Sequence, residues 1–170
     1  MIILGIDPGT ATTGYGLIKI KQGFLRKKGG MVCLDYGLIQ TSPSSSAPER
    51  LKKINNELNK IMKKYQPKIM AIENLYFFKN FKTVISVSQA GGVILLTAAK
   101  NKIPVEGFTP LQVKAIITKN GWAPKSEVQE KVKKILKLKT LPKSDDIADA
   151  LGIAICGALR CFSSKKNKQI

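Results

Sequence analysis

The order of apolar runs predicts a mixed α/β layer fold, with three antiparallel strands leading into parallel ones and helices on the flanks. Three observations carry this. The first third of the chain reads as strands, with turn residues between short apolar runs. A long amphipathic helix then separates the third run from the fourth. Each later run arrives through another helical stretch, and a helical crossover joins parallel strands.

Taken in order, Ile2–Ile6 is a continuous apolar run suited to a strand buried on both faces. Gly9 to Gly14 is a turn, Tyr15–Ile20 a return strand, and Met31–Ile39 a third strand after a polar connection. Thr41-Ser42-Pro43-Ser44-Ser45-Ser46 is a loop, and Ala47 or Pro48 opens a helix with Leu51, Ile54, Leu58, Ile61, Met62 and Tyr65 on one stripe. Lys68–Ile72 forms a fourth strand with Glu73 at its tip, followed by a helix from about Thr83 to Asn101. A short strand over Ile103–Val105 precedes helices at Leu111–Lys119 and Glu127–Leu138. The final helix, Asp145 to about Cys161, is apolar nearly all round and must be buried. With 170 residues, 44% of them apolar, one domain over residues 1–162 is expected, with a basic, disordered tail over 163–170.

Composition narrows the chemistry. Histidine is absent, which excludes Ser-His-Asp and Cys-His nucleophiles and any zinc site built on imidazole. Cys33, Cys156 and Cys161 lack a C-x-x-C spacing and read as packed, reduced thiols. The opening run reaches Asp7 before a signal-peptide core could form, and Val84–Ala99 carries Ser86, Ser88 and Gln89. A soluble, cytoplasmic protein without a membrane span is therefore expected. Lysine and arginine total 29 against 11 acids, a formal charge of +18. That charge suits either a heavily solvated surface or a polyanionic partner.

With so few acids, their positions are informative. Asp35, Glu49, Glu57, Glu106, Glu127, Glu130 and Asp145 lie near turns or on polar faces. The other four sit in apolar surroundings. Asp7 ends Ile-Ile-Leu-Gly-Ile, Glu73 ends Ile-Met-Ala-Ile, and Asp146 and Asp149 share one face of the last helix. Each has an ordinary reading alone: Asp7 as a turn residue, Glu73 as a strand-end charge paired with lysine, Asp146 as a first-turn acid favoured by the helix dipole. Should the strands bearing Asp7 and Glu73 be neighbours, both carboxylates emerge where open α/β sheets place their ligands. Four acids gathered there need a positive charge among them. Oxygen-only ligation suits Mg²⁺, with Mn²⁺ able to substitute. Two such ions about 3.5–4 Å apart would clamp the attacking and leaving oxygens of a phosphodiester displacement.

These marks resemble a known family. Gly5-Ile6-Asp7-Pro8-Gly9-Thr10 with Thr13-Gly14, then Ile72-Glu73, Gln89-Ala90-Gly91-Gly92, Gln112-Val113-Lys114, Gly121-Trp122-Ala123-Pro124-Lys125 and Asp146-Ile147-Ala148-Asp149-Ala150-Leu151 follow the order found in RuvC-type Holliday-junction resolvases of the RNase H-like superfamily. The resemblance spans Ile2 to about Leu159. It implies an RNase H-like mixed five-stranded sheet and a metal-dependent endonuclease that nicks four-way DNA junctions symmetrically in recombination and repair. By the same resemblance, Asp7, Glu73, Asp146 and Asp149 fall on the metal-binding catalytic positions. Asp7 would bridge two ions, and in-line attack of water would leave 5′-phosphate and 3′-hydroxyl ends. Lys114 and Lys125 map onto lysines that hold phosphate. Trp122 stands where the family more often carries small or polar residues.

The segment Tyr76-Phe77-Phe78-Lys79-Asn80-Phe81-Lys82 interleaves aromatics with cations directly after Glu73, a composition that suits base stacking and phosphate contact. Tyr76 resembles a stacking position of the family, with Lys79 and Lys82 as neighbouring phosphate contacts. Paired cuts in a two-fold substrate imply a homodimer, for which Val84, Val87, Gly91, Ile94, Leu95 and Ala98 offer an apolar helix face. The resemblance leaves room for branch-migration helicases as further partners. Two rival readings are a non-catalytic nucleic-acid-binding module and a phosphotransferase of the actin and sugar-kinase type.

Overall fold

The computed structural model describes residues 1–21, 30–74, 81–140 and 142–166, with backbone alone for 81–83 and 162–166. Among these residues, five strands and five helices follow one another as β1 (Ile2–Asp7), β2 (Thr12–Ile20), β3 (Met31–Gln40), α1 (Ala47–Tyr65), β4 (Ile69–Glu73), α2 (Phe81–Lys100), β5 (Val105–Phe108), α3 (Pro110–Thr118), α4 (Lys125–Leu136) and α5 (Asp145–Lys166). The sheet runs β3-β2-β1-β4-β5. β1 pairs antiparallel with β2 and β2 with β3, while β1–β4 and β4–β5 are parallel. This is the mixed sheet that the apolar runs predict.

β1 is the central strand, and its uninterrupted Ile-Ile-Leu-Gly-Ile supplies both faces. Ile3 joins Ile18, Ala71 and Phe108 beneath α3, α4 and α5. Leu4 and Ile6 join Leu17, Met70 and Ile72 beneath α1 and α2. A polar ladder holds α1 against α2: the Thr97 hydroxyl donates to Asn55 at 2.9 Å, and the Asn101 amide to Asn59 at 2.8 Å. α5 is buried along Ala150–Ala158, as its all-round apolar sequence requires. Cys33 and Cys156 are free thiols, and no helix among the described residues is long and apolar enough to cross a membrane.

The helix α5 lies unusually close to the sheet, and two glycines permit it. A Cβ at Gly5 would overlap the carbonyl oxygen of Ala150, and one at Gly14 would overlap that of Asp146. Side chains at either position would push the helix outward, because the colliding atoms are backbone and cannot rotate aside.

Several boundaries differ from the sequence expectation. β5 lies at Val105–Phe108 instead of Ile103–Val105. The Ile103 amide is spent on closing α2 against Ala98, and Pro104 has no amide to give a ladder. The next four residues pair with Met70–Glu73 instead. α4 begins at Lys125 behind Pro124, two residues earlier than expected. α5 continues to Lys166, so the first four residues of the expected tail are helical, while 167–170 lie outside the described residues.

Candidate active site

β1 and β4 run parallel, and Ile6 pairs with Ile72. Asp7 and Glu73 are the next residue of each strand, so they stand side by side at the carboxyl end of the sheet, one strand spacing (about 4.8 Å) apart in backbone. On the other side of β1, Asp7 pairs with Gly14, whose bare Cα faces the Asp146 carbonyl. The same glycine thus seats the first turn of α5 over the end of β1. One turn further along, Asp149 projects from the same helix. All four acids are partly buried.

The loop after Asp7 is pinned by hydroxyls. Thr13 donates to the Gly9 carbonyl at 2.6 Å, Thr10 to Ser86 at 2.5 Å, and Thr41 to the Thr10 carbonyl at 2.6 Å. Arg50 Nε in turn donates to the Thr41 hydroxyl at 2.8 Å. Thr10, Thr13 and Thr41 are buried, so this loop is fixed from both α1 and α2.

The charges of these acids are coupled. Burial raises the Asp7 carboxyl to a pKa of about 8, with Glu73, Asp149 and Asp146 adding to the rise and Lys125 opposing it. Burial likewise lifts Glu73 to about 7, helped by Asp149 and opposed by Lys125. Asp149 is also raised by burial, against the pull of Lys125. Three acids from β1, β4 and α5 are therefore within electrostatic reach of one another, and each holds its proton more firmly than an isolated carboxyl would.

Among the described residues, one ammonium lies beside them. Lys125, the first residue of α4, places Nζ 2.9 Å from Asp149 Oδ2 and 3.2 Å from Asp145 Oδ2. Burial works against the Lys125 charge, yet the bonds to Asp149 and Asp145 prevail and its pKa moves up. Asp145 also accepts from the Gln129 amide at 2.9 Å, and Lys125 with Gln129 draws its carboxyl below the usual range. The sequence places Asp145 among ordinary acids, whereas here it anchors the lysine. The available signal was its i, i+4 relation to Asp149, which puts both on one side of α5.

Lys114 stands mid-helix on α3, half-buried, and forms no ion pair with the four acids among the described residues. Tyr76 and Lys79 lie outside the described residues, and Lys82 is described only as a backbone position in α2. Among the described residues, no three acids are closed into a ready ion cage. Their chemistry nonetheless fits a hard divalent cation: the donors are carboxylate oxygens alone, and their pKa values are raised by burial first and by the neighbouring acids second, both of which disfavour the bare charges that such an ion would neutralise.

A 3-2-1-4-5 sheet with an antiparallel first hairpin, covered by helices on both faces, is an RNase H-like fold. The family model described as crossover junction endodeoxyribonuclease RuvC matches residues 3–157, and the chain belongs to that family. The crossover junction endodeoxyribonuclease RuvC of Fusobacterium nucleatum is 50% identical over 155 residues, covering 91% of this chain and 78% of that protein. The solved structure of Thermus thermophilus RuvC superposes with a TM-score of 0.88 at 30% identity, covering 96% of this chain and 97% of that one. The T. thermophilus RuvC in complex with Holliday junction substrate gives a TM-score of 0.85 at 28% identity, covering 96% of each chain.

Proposed function

We propose that this chain is a crossover junction endodeoxyribonuclease that resolves four-way DNA junctions by paired symmetric nicks. The observation that carries the reading is the meeting of Asp7, Glu73 and Asp149, from three distant segments, at the carboxyl end of the sheet in a protein of the RuvC family. Asp7, Glu73, Asp146 and Asp149 would hold Mg²⁺ or Mn²⁺, two ions per site. When bound, these ions supply Lewis-acid charge at the phosphodiester and acidify the attacking water. The chain's residues do the rest. The pinned Thr10–Thr13 loop fixes Asp7, and the close seat of α5 fixes Asp146 and Asp149. Lys125, released from Asp149, would be available to a substrate phosphate while keeping its contact with Asp145. In-line attack by water then breaks the P–O3′ bond, leaving 5′-phosphate and 3′-hydroxyl ends.

Two matched cuts need two active sites, and α2 provides the self-contact. Gly91, Ile94 and Ala98, expected on the dimer face, turn inward instead, where the apolar stripe of α1 covers them. The exposed stripe is Ile85, Gln89, Gly92, Leu96 and Ala99, flanked by Leu95. Ile85 is 70% and Leu96 55% exposed, and Gly92 has open space in front of its Cα. A homodimer closed through this stripe would recognise the junction by shape. Lysine-rich faces would add affinity that falls about 0.9 log units per contacted phosphate for each tenfold rise in salt. The cytoplasm is the compartment this reading requires.

Cleavage of a synthetic four-way junction, compared with a linear duplex of the same composition in Mg²⁺, tests the assignment. Symmetric nicks in the junction and none in the duplex support it. Equal cutting of both, or of neither, contradicts it.

A further inference from the structure

Trp122 is the chain's single tryptophan, and it is 84% exposed. Its backbone is fixed: its amide donates to Asn120 Oδ1 at 2.9 Å, and the Ala123 amide to the Asn120 carbonyl at 3.2 Å. Ala123 is fully buried, so the turn directs one side chain into the core and leaves its neighbour outside. Pro124 then opens α4, and Lys125 reaches Asp149. Three residues span at most about 11 Å, roughly the rise of three stacked nucleotides in one strand. The indole is therefore within a few nucleotides of any phosphate that Lys125 holds.

The surroundings are apolar and cationic together. Leu111, 50% exposed, borders the turn, its carbonyl 3.5 Å and its side chain 3.9 Å from where a Gly121 Cβ would stand. Lys114 follows Leu111 by one turn of α3, and Lys119 is exposed at its end. An exposed aromatic three residues from Lys119 and three from Lys125 in sequence matches a single-stranded nucleic acid, whose bases offer π-faces and whose phosphates offer negative charge. A buried protein contact would place fewer cations around the ring.

We propose that Trp122 stacks on an unpaired nucleobase of the strand that enters the carboxylate site, holding that strand in register with Lys125. This rests on the junction-cleaving reading above. Trp122 contacts substrate without entering the chemistry, so its removal should weaken binding far more than it slows the bound complex.

Intrinsic fluorescence tests this directly, because the full chain has one tryptophan, which can be excited selectively over its four tyrosines. The protein is titrated with unlabelled four-way junction in EDTA, and binding is followed in parallel by anisotropy of a labelled junction. Expected are a change in tryptophan emission that tracks the anisotropy, a loss of junction affinity of about 10-fold in Trp122→Ala, and recovery of most of it in Trp122→Phe. Unchanged emission while the labelled junction binds, or wild-type affinity in Trp122→Ala, overturns the stacking role and leaves the junction reading intact. Absence of binding in both readouts overturns the junction reading itself. Loss of the dimer in Trp122→Ala, seen by light scattering without DNA, would make the ring a self-contact and also overturn the inference.

Discussion

Lys125 Nζ and Asp149 Oδ2 stand 2.9 Å apart, so an ammonium within the carboxylate cluster is paired with an acid from the last helix. A metal ion that takes Asp149 must displace it, and Asp145 at 3.2 Å offers it another partner. The lysine is both a competitor of the metal and a cation kept beside the substrate.

Lys125→Ala should therefore separate two effects. Half-saturation by Mn²⁺, read from the rise in melting temperature without DNA, should occur at lower metal concentration because the competing charge is gone. Junction cleavage should fall by about 10²–10³-fold, as for loss of a group that stabilises developing charge. A higher metal requirement in the variant would contradict the pairing.

The raised carboxyls make metal-free stability depend on pH. Between their unfolded pKa values, near 4, and their folded values of about 8 for Asp7 and about 7 for Glu73, the folded chain binds more protons than the unfolded one. Stability then falls as pH rises through that window. The melting temperature in EDTA should be lower at pH 8 than at pH 6, and the increase caused by millimolar Mg²⁺ should be larger at pH 8. Melting curves at both values, with and without metal, check the sign.

Gly14→Ala should disturb the fold and the site together. The added methyl meets the Asp146 carbonyl, and overpacking against backbone costs about 1–3 kcal/mol. For a chain of this size that is a drop of roughly 3–10 °C in melting temperature. Because the clash pushes α5 from the end of β1, cleavage should fall even at temperatures where the variant is folded. Circular dichroism and junction cleavage on one preparation would show both.

Much of this was readable beforehand, because backbone-scale patterning is local. Ile2–Ile6 read as a doubly covered strand, which puts Asp7 at that strand's carboxyl end. The close spacing of Asp146 and Asp149 in an otherwise apolar helix needed no tertiary information either. The rest depended on partners remote in sequence. The phase of α2 escaped because its helix is apolar on two sides, and only the stripe of α1 decides that Ile94 and Ala98 turn inward. Asp145 read as an ordinary helix-start acid until Lys125, 20 residues earlier, came to rest on it. β5 slid by two residues because Ile103 was needed to close the preceding helix.

Asp7→Asn removes the most strongly perturbed carboxyl while nearly preserving its shape. Junction binding should stay within about threefold of wild type, since the lysine surface is untouched. Cleavage should fall by at least about 10³-fold. In EDTA at pH 8 the variant should melt higher than wild type, because one repelling charge is gone. Wild-type cleavage by this variant would remove Asp7 from the site.

The most direct measurement is the anomalous scattering of Mn²⁺ in crystals of the chain grown or soaked in millimolar MnCl₂. Two peaks about 3.5–4 Å apart are expected, contacted by Asp7 together with Glu73, Asp146 and Asp149, and with Lys125 withdrawn from Asp149. Crystals of cleavage-competent protein with no peak at these acids, or with manganese bound only elsewhere, would contradict this.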